Sequence, residues 1–325
     1  MRVTITIPIL NGSEYLKGCF SNLGNQIYRD FEVVFVIDHT TTQDVIDSID
    51  SYCKESGNAR YVIQNDDEGL AGARNIGIDE GRGDIIWFLD VDDYVYPTFL
   101  EEMVGIMDEN DADIVFCNHF EYCKQKIPEI PNLDYKVKKI DPEYALAHFT
   151  ELPTHSWSRI QKRSIFNDGV ARFIKRLAAE DIEQMIRSIY VSKRIYYYEK
   201  PLYVYYKTNK TSVKKNRPKE IESLEATARS LISLIGDENA YPYNEFKRRL
   251  AECMMRQSAF SKYGQFSKTY GSSYSHVLLD GVPHKTKEMR VYELSKLLYY
   301  LAIYPYTHYI WDNKEGMWGE VSGKK

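Results

Sequence analysis

Through the first hundred positions apolar residues come in short runs separated by polar turns. Val3 to Ile9 alternates β-branched residues with Thr and Pro, and Asn11-Gly12-Ser13 supplies a turn and a helix cap ahead of Glu14 to Leu23. Phe31 to Ile37 is almost wholly apolar, the pattern of a strand covered on both faces. Thr42 to Tyr52 reads as a helix, Arg60 to Gln64 as a third strand, Ala71 to Asp79 as a helix and Asp84 to Leu89 as a fourth strand. Strand and helix in alternation predict an α/β fold, with a parallel sheet joined by right-handed crossovers. Ligands on such a sheet lie beyond the carboxyl ends of the strands, where the chain places Asn11, Asp38, Asp66 and Asp90.

Beyond Pro218 the period becomes helical. Ile221, Leu224, Ala228, Leu231, Ile232 and Ile235 form one stripe, Phe246, Leu250, Cys253 and Met254 a second, and Val291, Leu294, Leu298 and Leu301 a third. The third leads into Tyr299 to Trp311, a run dense in tyrosine. Amphipathic aromatics suit a membrane interface. Packing on the rest of the chain or a dimer contact is the alternative, favoured by the modest positive charge flanking the run.

Composition adds limits. The 325 residues suffice for one large domain or two, with no run near the ~20 apolar residues of a membrane span. The N-terminus begins a strand, not a signal peptide, so the expected location is cytoplasmic, extended to the inner face of the cell membrane if the aromatic run meets lipid. Five cysteines without CxxC spacing (Cys19, Cys53, Cys117, Cys123, Cys253) predict reduced thiols, neither a disulfide framework nor a zinc site. Charge is lopsided: residues 1–110 carry 7 Lys and Arg against 21 Asp and Glu, and the remainder 35 against 26. The first third therefore calls for cations, while the lack of a long basic run argues against nucleic acid as a partner.

The acidic surplus is sharpest where the fourth strand runs into Asp90, Asp92 and Asp93. On an extended chain Asp90 and Asp92 point to one side while Val91 turns inward. Like charges held so close suggest a hard divalent cation with oxygen ligands, although an acidic turn capping a helix would show the same residues.

Four segments in order, Ile7-Pro8-Ile9-Leu10-Asn11, Asp30 to Asp38, Asn65 to Gly77 and Phe88 to Asp93, resemble the family 2 glycosyltransferases of the GT-A fold. The resemblance covers about two thirds of the chain. It implies a Rossmann-like, mostly parallel sheet flanked by helices over 1–215, with nucleotide-sugar binding in 1–100, the acceptor side and catalytic base in 101–215, and a helical extension over 216–325. It implies that Pro8, Asn11, Asp38, Asp66, Arg74, Asp90 and Asp92 hold the nucleotide-diphosphate sugar, with Asp38 reading uracil. Asp90 and Asp92 match the DxD motif that contacts ribose and the Mn²⁺ or Mg²⁺ bridging the phosphates. An Asp38 carboxylate suits the imide N–H of uracil. The small residues from Gly69 to Gly77 around Arg74 let backbone approach a ligand closely, although by itself Arg74 would pass for a surface arginine. Many members carry two carboxylates before Gly-Ser-Thr-Asp, whereas this chain has Ile37-Asp38-His39-Thr40-Thr41-Thr42-Gln43-Asp44.

Glu180-Asp181 resembles the family's ED pair, in which the Asp is the general base, although acidic residues also suit the first turn of any helix. Thr154 to Phe166 matches a segment lining the acceptor side, usually with Lys where Arg159 stands. His155 and Trp157 there suit contact with an acceptor sugar, and Trp157 equally suits the core. Glu199 to Val213 resembles the closing strand and a loop whose Lys207, Lys210 and Ser212 would fold over the diphosphate. The function implied is inverting, metal-dependent, non-processive transfer of one sugar, from a UDP-sugar, to a glycan or lipid-linked glycan. The alternatives are an inactive nucleotide-sugar binding module and a sugar nucleotidyltransferase. The latter normally has a glycine-rich first loop, and a processive synthase a Gln-x-x-Arg-Trp motif.

Overall fold

A computed structural model of the chain describes residues 1–65, 68–122, 127–175, 180–206, 226–227, 229–236 and 241–258. Its first half follows the predicted alternation: β1 (Val3–Ile9), α1 (Ser13–Asn25), β2 (Phe31–Asp38), α2 (Gln43–Ser56), β3 (Ala59–Gln64), α3 (Gly69–Glu80) and β4 (Ile85–Phe88). These four strands are parallel, in the order β3-β2-β1-β4. Then come β5 (Tyr94–Val95), α4 (Phe99–Glu109), β6 (Ile114–Tyr122), β7 (Val137–Ile140), α5 (Pro142–Ala147), β8 (Arg159–Lys162), α6 (Glu180–Val191), β9 (Ile195–Tyr206) and α7 (Tyr243–Ser258).

The same sheet continues past β4 through β8, β6, β9 and β5, with β7 on β9. Here pairing is mixed: β8 runs antiparallel to both β4 and β6, and β9 parallel to β6. Both faces are covered, which is why β2 reads as one apolar run. One core holds Ile5, Phe35, Trp87, Phe99 and Met103, and the other Phe88, Phe116, Phe149, Ile186 and Phe246.

The β1 register opens the site. β2 accompanies β1 from Val3 to Ile9, whereas β4 pairs only from Val3 to Thr6. After the Leu89 N–H donates to Thr6 O (3.0 Å), the chain turns away. Pro8, which has no N–H to give, sits where that side of the ladder has ended. A crevice between the ends of β1 and β4, where strand order reverses, is the usual ligand position on an open α/β sheet.

Against β1 lies α3, at very short range. A Cβ on Gly77 would stand 2.0 Å from Thr6 Cγ2, and one on Gly81 2.5 Å from Thr4 Cγ2. Gly77 therefore serves helix-to-strand packing, a different close approach from the ligand contact expected for this segment. At the far end of the strands Glu32 is 2% exposed. It accepts hydrogen bonds from Thr4 Oγ1 (2.8 Å), Arg60 Nη1 (2.5 Å), the Gly83 N–H (3.2 Å) and the Arg82 N–H.

The described part of the C-terminal region is helical and packs on the sheet unit. Leu231, Ile235, Phe246 and Leu250 enter the core beside Phe149, and Arg249 reaches Glu151 and Thr150, each at 3.0 Å. The third apolar stripe and the tyrosine run at 299–311 lie outside the described residues, as do Lys207, Lys210 and Ser212. No described helix is long and apolar enough to cross a membrane. Cys19, Cys53 and Cys117 are free thiols.

Two outcomes are expected. Gly77→Ala should lower stability by about 1–3 kcal/mol through overpacking. Thermal denaturation should show part of the loss recovered by Thr6→Ala, which removes the nearest atom; an unchanged Tm for the single variant would refute this packing. Burial raises the Glu32 carboxyl, but its hydrogen bonds from Arg60, the Arg82 N–H and Thr4 overcome this and hold it below its ordinary value of 4.5. The folded value lies below the unfolded one, so the carboxylate stabilises the fold above pH ~4.5 and loses that effect as pH falls through the folded value. Urea titrations should find Glu32→Gln less stable than the parent at pH 7, with the gap narrowing below pH ~4.5.

Candidate active site

β4 ends at Phe88, and Val91 and Asp92 form a turn in place of the extended alternation expected from the sequence. The consequence falls on Asp93, which is 5% exposed and faces inward. It accepts from Tyr203 Oη (2.9 Å) and the Tyr206 N–H (3.0 Å), tying the turn to β9. Burial, with the charges of Asp92 and Asp90, raises its carboxyl well above the ordinary range. Of the three carboxylates, Asp90 and Asp92 are the half-buried ones that remain at the crevice.

Arg74, on α3, is 1% exposed, so the surface-arginine alternative is overturned. Nη1 donates to Asp181 Oδ1 (2.5 Å) and lies 3.5 Å from Glu180 Oε1, while Nη2 reaches Asp90 Oδ1 at 3.4 Å. One guanidinium thus joins carboxylates at the end of β4 to those in the first turn of α6. Its neighbour Asn75 makes a two-way bond with the Phe173 backbone (2.8 and 3.1 Å), holding the segment before α6 against α3. Sequence reasoning missed Asn75, whose only signal is its place beside Arg74. It also missed Ser156, fully buried, whose hydroxyl donates to Asp181 Oδ1 at 2.5 Å.

Burial alone would raise the Asp181 carboxyl; the Arg74 guanidinium, with His155 and Ser156, overrides this and holds it well below the usual range. Asp90 goes the other way. Burial, opposed by Arg74 but reinforced by Asp181 and Asp92, pushes it up to about 6. Burial and Asp181 also raise Glu180.

Arg159 does not line the acceptor side. It is fully buried and donates to the carbonyls of Thr154 (3.2 Å) and His155 (2.8 Å) and to Gln184 Oε1 (2.5 Å), with Asp181 O at 3.4 Å. It pins the 154–158 segment to α6. Trp157 is core, 1% exposed, in a stacked column between Tyr203 (4.1 Å) and His155 (4.7 Å). His155 ends the column, with Nδ1 3.9 Å from Asp181 Oδ2.

Asp38 stands at the end of β2, where its Oδ1 accepts from the Thr40 N–H (2.9 Å) and Thr40 Oγ1 (2.6 Å). Asn11, with a positive φ of 58°, accepts from the Thr42 N–H (3.1 Å) and joins the loops after β1 and β2. Because β1, β2 and β4 are parallel, Pro8, Asn11, Asp38, Asp90 and Asp92 share one sheet edge. Asp66 lies outside the described residues. No three His, Cys, Asp or Glu side chains among the described residues form a metal cage.

Comparison with known proteins gives a consistent family. The sequence profile described as "Glycosyl transferase family 2" matches residues 4–170. EpsH of Bacillus subtilis (strain 168), a glycosyltransferase by name, is 24% identical over 279 residues, 83% of this chain and 78% of EpsH. The poly(ribitol-phosphate) beta-N-acetylglucosaminyltransferase TarS of Staphylococcus aureus is 22% identical over 208 residues, 61% of this chain and 35% of TarS. The crystal structure of TarS 1–349 in complex with UDP-GlcNAc superposes with a TM-score of 0.69 at 16% identity, covering 96% of this chain and 92% of that one. A Pyrobaculum calidifontis mannosyltransferase in complex with GDP-Man and Mn²⁺ gives 0.54 at 14% identity, covering 96% and 88%. The TarS likeness shows the fold, a central sheet flanked by helices of the GT-A type. With its profile match over half the chain, the chain belongs to glycosyl transferase family 2 and is a glycosyltransferase.

Proposed function

We propose that this enzyme moves a single sugar, with inversion and without processivity, from a nucleotide-diphosphate sugar to a glycan or lipid-linked glycan hydroxyl. The observation that carries this reading is the Arg74 bridge, which sets Asp181 and Asp90 on either side of one guanidinium. A UDP-sugar is the favoured donor: TarS is crystallised with UDP-GlcNAc, and Asp38 offers a carboxylate at the sheet edge suited to the uracil imide. In this reading residues 1–100 hold the donor, 101–215 supply the acceptor side and base, and 216–325 form a helical extension.

Asp90 and Asp92 fit a hard divalent cation. Both are half-buried oxygen donors two residues apart at the turn after β4. Two carboxylates suit Mg²⁺ or Mn²⁺, which take their remaining ligands from phosphates and water. Bound there, the ion would neutralise charge gathering on the departing diphosphate.

The protein's own part centres on Asp181. Arg74 and Ser156 occupy Oδ1, which fixes the carboxylate and turns Oδ2 toward His155. The acceptor oxygen attacks the anomeric carbon opposite the diphosphate. The bond to the diphosphate breaks, its electron pair leaves with that group, and the hydroxyl proton passes to Asp181 Oδ2. A carboxylate held at low pKa is ionised at any working pH. It still suffices as a base, because the attacking hydroxyl becomes strongly acidic once its new bond to carbon forms. Arg74 acts as a clasp on the carboxylates and, with five N–H donors, keeps some to spare for the donor contact that this reading also gives it.

Asp181→Asn should keep UDP affinity while kcat falls by ~10² or more. Calorimetry with UDP and Mn²⁺ beside a sugar-transfer assay checks both, and transfer at the parental rate would remove Asp181 as the base. For Asp92→Ala, UDP binding should lose its dependence on Mn²⁺. Calorimetry with and without the ion is the test, and an unaltered metal effect would exclude Asp92 as a ligand.

A further inference from the structure

The acceptor region carries a feature that the transfer reaction alone does not require. His155 is the outermost member of an aromatic column in which His155 and Trp157 are parallel within 11° and Trp157 and Tyr203 within 6°. The inner two rings are buried; the His155 side chain is 36% exposed. His119 meets Trp157 edge-on at 4.8 Å, and the half-buried Tyr205 leans on both His155 (5.4 Å) and Trp157 (5.7 Å). The Ser158 hydroxyl and the Arg159 guanidinium both donate to the His155 carbonyl, at 2.6 and 2.8 Å. The ring is therefore held in place from behind and from its own backbone.

Its position is specific to the chemistry. His155 Nδ1 lies 3.9 Å from Asp181 Oδ2, and Tyr205 is close enough to the turn after β4 to feel the charges of Asp93, Asp90 and Asp92. One ring thus lies beside the proposed base and the other near the proposed donor carboxylates, within reach of an acceptor that must approach both. The carboxylates around them are Asp90, Asp92, Glu121, Glu180 and Asp181, while Arg74 and Arg159 are buried, the first on carboxylates and the second on carbonyls and Gln184. These carboxylates oppose an anionic acceptor, and the exposed rings offer it no charge-matched partner but a flat apolar face.

On the reading given under Proposed function, we infer that His155 and Tyr205 form a shelf that binds the C–H face of a neutral pyranose acceptor, so the acceptor is a sugar ring and not a polyol phosphate. An aromatic face is electron-rich and attracts the slightly positive C–H edge of a sugar. Six-membered rings present several such hydrogens on one face in a fixed plane. A flexible, charged polyol phosphate offers no such plane and would meet the carboxylates instead.

The test is saturation-transfer NMR on the full chain with UDP and Mn²⁺, using methyl β-D-glucopyranoside, methyl β-D-galactopyranoside and ribitol 5-phosphate as probes. Saturation should reach the ring C–H protons of at least one pyranoside and leave ribitol 5-phosphate untouched. His155→Ala should weaken pyranoside binding about tenfold, and His155→Phe, which keeps an aromatic face, should restore it to within about threefold of the parent. The UDP signal in the same tube should not change in either variant. Pyranoside binding indifferent to His155→Ala, or equal saturation of ribitol 5-phosphate, would overturn the shelf. So would a Phe variant as weak as the Ala variant, because His155 would then act through its contact with Asp181. UDP bound without any pyranoside overturns the shelf alone, whereas a parent that binds no UDP overturns the donor reading and the shelf together.

Discussion

A buried guanidinium is costly unless its charge is met at close range, and Arg74 meets that requirement with acidic groups from two distant stretches of chain. Asp90 and Asp181 would otherwise repel each other across the crevice. With Arg74 between them they are held on one guanidinium, near enough for the proposed donor and acceptor roles to share one site. Burial raises both carboxyls, and the unequal contact with Arg74 separates them. Asp181, bonded at 2.5 Å and also facing His155 and Ser156, is pulled down, while Asp90, at 3.4 Å and beside Asp181 and Asp92, stays raised.

The backbone around this contact is fixed by packing. Gly77 brings α3 onto Thr6 of β1, and one turn earlier on that helix Arg74 is presented at the carboxyl end of the sheet. Asn75 joins α3 to the Phe173 backbone, so the approach to α6 follows the same helix. Arg159 acts from the other side, binding the Thr154 and His155 carbonyls together with Gln184 on α6. Two buried arginines therefore have different duties, one placing carboxylates and the other placing the loop that carries His155 and Ser156.

The mixed sheet divides these duties between its halves. Its parallel half ends in the Asn11, Asp38 and Asp90 edge, the arrangement that suits a nucleotide. β8 then enters antiparallel to β4, and the segment just before it carries His155 and Ser156 to Asp181. Tyr203 and Tyr205 on β9 complete the aromatic column from the far side. The carboxylates of both halves meet where the strand direction changes.

The alternation of β1 to β4 with α1 to α3 was legible in the residues, because apolar runs and turn signals are local properties. So was the placement of Asn11, Asp38 and Asp90 beyond the strand ends, which follows from parallel connection alone. The motif resemblance also picked out Asp181, although it lies 107 residues from the arginine that holds it. Contacts across such distances leave no local periodicity, and they decided the rest. Only the folded chain shows that Asp93 turns inward to Tyr203, that Arg159 is a buried pin and that Ser156 belongs to the site. Whether a side chain faces solvent, a carbonyl or another charge is settled by which surfaces the core brings together. Single-residue chemistry carries no record of that choice.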